Sequence, residues 1–160
     1  MSASSLWVRI GAIWLTAAVL LLLVAVPASP GPGWGRAVAG ATGTLGGVLL
    51  FLGLGGCRHL PLRRPRGPTA AVLFVTAGAE EVVWRRFALA ELALRVGAVP
   101  ALGATTVAFA LAHGEAAGRQ LVTGAAFGLL YLGTGNLAAP WCAHAAYNLC
   151  VAAARTAADP

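Results

Sequence analysis

The chain contains no lysine and a single methionine, and its 160 residues carry only 11 basic and 5 acidic side chains. Charged residues make up 10% of the sequence, against about 25% in an ordinary soluble domain. That is too little charge to cover a water-facing surface. The scarcity excludes a soluble globular domain and, with 59% hydrophobic residues, a disordered tail as well. Cysteine is also scarce: Cys57, Cys142 and Cys150 show no metal-binding spacing and are too few for a disulfide-stapled module. They read as small apolar packing residues. No internal repeat or low-complexity tract is visible, which excludes a repeat array.

What is present is hydrophobic: the mean hydropathy is +0.80. The composition is that of an integral membrane protein with one small domain. All basic residues are arginine, and the net charge is +6. In a soluble chain that balance would suggest a nucleic-acid partner. Here the arginines flank apolar runs, so the charge reports topology under the positive-inside rule and no nucleic acid is implied.

The fold class expected is an all-α, polytopic membrane helix bundle of about six transmembrane helices. The first apolar run is Leu6 to Val26. Val26-Pro27-Ala28 before Ser29 resembles a signal-peptidase site, but the run is long for a signal and favours a retained span. A Pro/Gly loop, PASPGPGW, leads to a second span, Ala37 to Gly56, in which Gly43 and Gly47 are spaced for close helix packing. The loop Cys57 to Gly67 holds Arg58, Arg63, Arg64 and Arg66, and this places it in the cytoplasm. A third stretch starts near Thr69 and runs through Glu80-Glu81-Val82-Val83-Trp84-Arg85-Arg86 to Val96. Val99 to His113, Leu121 to Gly135 and Ala138 to Ala154 complete the six, the fifth carrying a second small-residue pair, Gly124 and Gly128. With both termini cytoplasmic, Arg9, the four loop arginines, Arg119 and Arg155 lie inside, and only Arg36 and Arg95 lie outside. Residues 1–67 form an N-terminal two-span region with its basic loop, and residues 68–155 the core that carries the chemistry.

The acids are unevenly compensated. Glu81 has Arg85 four residues on, Glu91 has Arg95, and Glu115 has Arg119, each a favourable i,i+4 pair; Asp159 lies at the C-terminal end. Glu80 alone has no cation at i+3 or i+4. A central acid in a span costs on the order of 3 kcal/mol to insert, which makes Glu80 a functional candidate. Of the three histidines, His59 lies in the basic loop. His113 ends the run Phe109-Ala110-Leu111-Ala112-His113, so Phe109 shares its face and can wall the imidazole. His144 and Asn148 share one face of the last span. Depth requires the third helix to continue past Arg86 if Glu80, about 15–20 Å in from the basic loop, is to meet His113.

Glu80-Glu81-xxx-Arg85, Phe109-xxx-His113 and His144-xxx-Asn148, in that order, resemble the three motifs of the CAAX protease and bacteriocin-processing (CPBP, or Abi-type) family of intramembrane proteases. Gly124, Phe127-Gly128, Tyr131, Thr134-Gly135-Asn136 and Pro140 resemble that family's approach to its final motif. The resemblance covers about residues 69 to 150. Where the family often has Phe-Arg-Gly, this chain has Trp84-Arg85-Arg86, a difference that bears on local helix packing. The resemblance implies an endopeptidase in which Glu80 and His113 hold and deprotonate a water, His144 and Asn148 donate to the oxyanion, and Arg85 pins Glu81.

No cofactor is required in that reading. A zinc version would use Glu80, His113 and His144 as ligands, but there is no His-Glu-xx-His pair and Asn148 is a poor zinc ligand. A thiol peptidase built on Cys142 and His144 is disfavoured, because residues two apart on a helix point about 200° from each other. A non-catalytic immunity or chaperone protein is the rival from another class, and a transporter is disfavoured by the lack of broken-helix repeats. The expected partners are the bilayer and a protein or peptide substrate with a hydrophobic segment, such as a prenylated tail, a leader or a C-terminal sorting tail. The expected location is a bacterial inner membrane.

Overall fold

The structure, a computed structural model, describes residues 3–24, 31–59, 62, 65, 67–114 and 117–158. In chain order these form α1 (Ala3–Leu23), α2 (Arg36–Gly53), a 3-10 turn (Gly56–His59), α3 (Gly67–Glu81), a π-helical segment (Val82–Leu89), α4 (Ala90–Val96), α5 (Ala98–Ala112), α6 (Ala117–Thr134) and α7 (Ala138–Ala158). Among the described residues there is no strand, as the all-α expectation required. Several expectations fall on residues outside the described set. These are the sites of Arg63, Arg64, Arg66, Glu115 (and so its pairing with Arg119) and Asp159, and the side chains of Arg9, Cys57 and His59.

The third apolar stretch continues as anticipated. α3, the π segment and α4 follow one another without a break, so the helix carries on past Arg86 to Val96. Gly97 then turns the chain at φ +88°, a conformation a side chain would resist, and α5 returns alongside. Pro100 falls in the first turn of α5, where its missing N–H has no intrahelical partner to lose. This hairpin sets the level of the site. Glu80 lies 17 residues before Gly97 and His113 lies 16 after it, so two antiparallel helices bring them face to face.

A second hairpin does the same for α6 and α7. It turns at Gly135 (φ +63°), with Phe127 eight residues before and His144 nine after. The turn is fastened to the segment preceding α2. The Trp34 N–H donates to the Thr134 carbonyl at 2.8 Å. The Asn136 side-chain amide donates to the Trp34 carbonyl at 2.7 Å, while its Oδ1 accepts from the Ala138 N–H at 3.0 Å and starts α7.

α2 lies along α7, α5 along α6, and α3 against both α1 and α7. The small residues act as the spacing suggested. A Cβ on Gly43 would strike the Ala139 carbonyl, and one on Gly47 the Ala143 carbonyl, so α2 and α7 touch backbone to backbone. Gly128 clears Leu102 of α5, and Gly124 lets the Phe109 ring approach. Phe51, Phe127, Ala143, Tyr147 and Ala154 form one core cluster, and Leu89, Ala90, Ala101 and Tyr131 another.

The outside of the bundle is apolar and the inside holds charge. Leu22 is 81% exposed and Val99 82%, whereas Glu81, Arg85 and His144 are buried. Among the described residues one helix, Arg36–Gly53, is by itself long and apolar enough to cross a membrane, and Ile10–Leu23 and Ala98–Ala112 are shorter apolar helices. Glu81, Arg85 and His144, which lower the apolar character of α3, the π segment and α7, are buried inside the bundle.

The α2–α7 contact yields a stability test. Gly47→Leu forces the helices apart and should cost about 1–3 kcal/mol or more, read as a lower unfolding temperature in detergent. Gly46→Ala meets only the flexible end of Leu130, at 3.6 Å, and should leave that temperature within a degree or two of the parent.

Candidate active site

Four helical elements contribute to one buried polar cluster. Glu80 and Glu81 end α3, Arg85 lies in the π segment, His113 caps α5, and His144 sits in the first half of α7. A π segment of eight residues is longer than the single-turn bulges usually found within helices, and such segments gather at functional sites. Its wider turn carries Trp84, Arg85 and Arg86 out of the register a plain α-helix would give them.

Glu81 is the centre of the arrangement and has no exposure to solvent. Its Oε2 forms an ion pair with Arg85 Nε at 3.1 Å, and its Oε1 accepts from His144 Nδ1 at 2.8 Å. The expected Glu81–Arg85 pair is therefore present, and it extends to a histidine 63 residues away. Arg85 is engaged from several sides: Nη2 donates to the Gly124 carbonyl at 3.1 Å, and the guanidinium lies 4.7 Å from the centre of the Phe109 ring and 5.6 Å from that of Phe127, while Nη1 is buried without a hydrogen bond among the described residues. The Glu91–Arg95 pair is a separate, exposed contact, with Arg95 Nε donating to Glu91 Oε1 at 3.0 Å.

Glu80 turns toward His113 and His144. Its Oε2 is 3.6 Å from His113 Nε2 and 3.9 Å from His144 Nε2, and this oxygen is buried without a hydrogen bond among the described residues. His113 Nδ1 is 2.7 Å from the Phe109 carbonyl. A carbonyl only accepts, so Nδ1 carries the hydrogen, and a neutral ring presents its Nε2 lone pair to Glu80. By the same logic the Glu81 carboxylate takes the Nδ1 hydrogen of His144 and aims Nε2 at the same point.

Aromatic rings wall the cluster. Phe109 contacts the His113 ring at 4.4 Å, as its i,i+4 position suggested. Trp84 meets Phe109 edge-on at 5.7 Å. Phe127 stacks on His144 at 4.8 Å and 22°, a contact that local spacing in the sequence does not reveal. The hairpin arithmetic about Gly135 is the signal that finds it. Asn148 lies one helical turn beyond His144 on the same face of α7 and is partly buried. Trp84 also lines a groove of about 910 Å³ between α1, the π segment, α4 and α5, with Leu20, Phe87, Leu92, Ala104 and Ala108 around it.

A family model described as type II CAAX prenyl endopeptidase, Rce1-like, matches residues 65–150. The chain belongs to that family. The matched span contains every residue of the cluster. The Rce1-like family is one of membrane-integral proteases with protein substrates, and this chain is a membrane protein of that kind. No curated protein and no solved structure matches the chain at a significant level.

Among the described residues no three His, Cys, Asp or Glu side chains are grouped so as to hold one metal ion.

The buried network makes its own prediction. Arg85→Met leaves the Glu81 carboxylate short of a partner, and a broken buried pair costs about 3–5 kcal/mol, visible as reduced detergent stability. Replacing Glu81 and Arg85 together with leucine should recover part of that loss. It should not recover activity, because His144 Nδ1 then has no acceptor.

Proposed function

We propose that the protein is an intramembrane endopeptidase in which Glu80 and His113 activate a water and His144 and Asn148 stabilise the oxyanion. The observation that carries this reading is the convergence of Glu80 Oε2 with the Nε2 atoms of His113 and His144, at 3.6 and 3.9 Å. Two acceptors so placed can take both hydrogens of one water and leave its lone pair directed outward. Glu80 removes a proton as the water oxygen attacks the peptide carbonyl, then returns it to the leaving nitrogen, so no net proton is gained or lost. His113 orients the water through Nε2.

The position of His144 supports an oxyanion role: Glu81 holds its Nδ1 at 2.8 Å, and its Nε2 faces Glu80. A ring carrying hydrogen on Nε2 donates to the oxyanion, and Asn148, on the same helix face, supplies a second donor. This mechanism is metal-free. In the rival zinc mechanism Glu80, His113 and His144 would be the ligands and the metal would act as Lewis acid.

The six-span arrangement belongs to the same proposal: both termini and the 57–67 loop cytoplasmic, in a bacterial inner membrane. The apolar exterior and buried charge of the bundle support it. The substrate is a membrane-associated protein or peptide whose hydrophobic segment reaches the cluster along the Trp84-lined groove, from the bilayer side.

Glu80→Gln preserves shape and removes the base, so cleavage by a folded protein should fall by at least about 10²-fold; an unchanged rate would overturn the assignment. Asn148→Ala should lower turnover by about 10²–10³-fold with little change in substrate binding. Purified enzyme should keep its activity in chelator. One tightly held zinc per chain, whose removal abolishes and return restores cleavage, would replace this mechanism with the zinc one.

Topology is tested separately. Reporters fused at the C-terminus and within the PASPGPGW loop should report opposite sides of the membrane. The same side for both would overturn the span count.

A further inference from the structure

A second charged concavity lies away from the catalytic cluster. A cavity of about 230 Å³ is lined by Phe51 and Leu54 at the end of α2, Arg119 in the first turn of α6, and Tyr147, Val151 and Arg155 along α7. Tyr147 is buried, and its hydroxyl interacts with the Arg119 guanidinium. Two elements, α6 and α7, thus direct two cations and a phenol at one small volume, and among the described residues none of those lining it is acidic.

Two guanidinium groups around one cavity repel each other, and an oxyanion between them removes the repulsion. The planar, fixed donors of arginine match phosphate oxygens in a bidentate manner. The remaining walls are apolar, from Phe51, Leu54 and Val151. A wholly hydrated anion gains nothing from such walls, whereas a phosphate attached to a glycerol and acyl chains does. The cavity also sits where α2 ends, α6 begins and α7 ends, and in a membrane-integral chain helix ends lie at headgroup depth.

We propose that this cavity binds the phosphodiester headgroup of an anionic glycerophospholipid. Arg119 and Arg155 grip the phosphate, the Tyr147 hydroxyl donates to it, and Phe51, Leu54 and Val151 receive the glycerol backbone. The bound lipid would join α2, α6 and α7 at one end of the bundle. Tyr147 is three residues from His144 on α7, so the lipid steadies the helix that carries the proposed oxyanion donors. The site itself rests on membrane membership and not on the catalytic mechanism.

The test uses full-length, delipidated protein in a neutral detergent. Phosphatidylglycerol, phosphatidylcholine, inorganic phosphate, acetate and a short peptide with a free C-terminus are added in parallel. Unfolding temperature and native mass spectrometry are the readouts. Phosphatidylglycerol should raise the unfolding temperature saturably by several degrees, with one lipid retained per chain. The Arg119→Gln/Arg155→Gln protein should lose both effects, Arg119→Lys/Arg155→Lys should retain a reduced shift, and Arg36→Gln, a general charge control, should behave as the parent. If the double glutamine variant does not fold, Arg155→Gln alone, at the exposed end of α7, should still lower lipid retention in the mass spectrum. An equal shift with phosphatidylcholine or inorganic phosphate would overturn the proposal. So would a phosphatidylglycerol response that persists in the glutamine variants. An arginine-dependent response to acetate or the peptide without one to phosphatidylglycerol would reassign the cavity to a carboxylate and overturn the lipid reading. Loss of lipid binding with cleavage intact, or the reverse, separates this site from the catalytic proposal.

Discussion

The Glu81 carboxylate is the constraint around which this bundle is arranged. A fully buried ion is tolerable only if each oxygen has a partner, and here the partners come from different helices: Arg85 from the π segment and His144 from α7. Arg85 in turn reaches the Gly124 carbonyl of α6 and faces the rings of Phe109 and Phe127. One acidic side chain therefore ties together α3, the π segment, α5, α6 and α7. It is what allows its sequence neighbour, Glu80, to be left with an oxygen that accepts no hydrogen bond among the described residues.

Neighbouring acids thus divide the work. Consecutive helical residues point about 100° apart, so a buried pair at 80 and 81 must face different surroundings. Glu81 faces the cations and fixes the architecture. Glu80 faces the Nε2 atoms of His113 and His144. The histidines are polarised by their other nitrogen, one against a carbonyl and one against a carboxylate. Such hydrogen bonds set ring orientation and tautomer from behind the reacting atoms.

Much of this was legible from local spacing. An acid without an i+4 cation singled out Glu80, and i,i+4 periodicity placed Phe109 beside His113 and Arg85 beside Glu81. The helix continuing beyond Arg86 followed from matching depths. Contacts between distant segments were less legible. Nothing local to residue 81 announces a histidine 63 positions away, although counting outward from the turns at Gly97 and Gly135 aligns Glu80 with His113 and Phe127 with His144. The π segment left no mark, since Val82–Leu89 contains neither proline nor glycine and its residue types suit an α-helix equally well. Asn148 is placed beside His144 by periodicity alone.

The backbone contact of α2 with α7 has a mechanical consequence. Carbonyls of Ala139 and Ala143 lie against Gly43 and Gly47 with no side chain between them, and the start of α7 is bolted to Trp34 through Asn136. Sliding or tilting α7 would break many van der Waals contacts at once. α1, by contrast, touches only α3 and the π segment among the described residues, and its one side-chain hydrogen bond to α3 runs from Trp14 to Thr76. The bundle thus has a stiff half and a compliant half. Strain imposed by an incoming chain would be relieved by outward displacement of α1, on the side of the Trp84-lined groove, while α7 stays in place as the anvil.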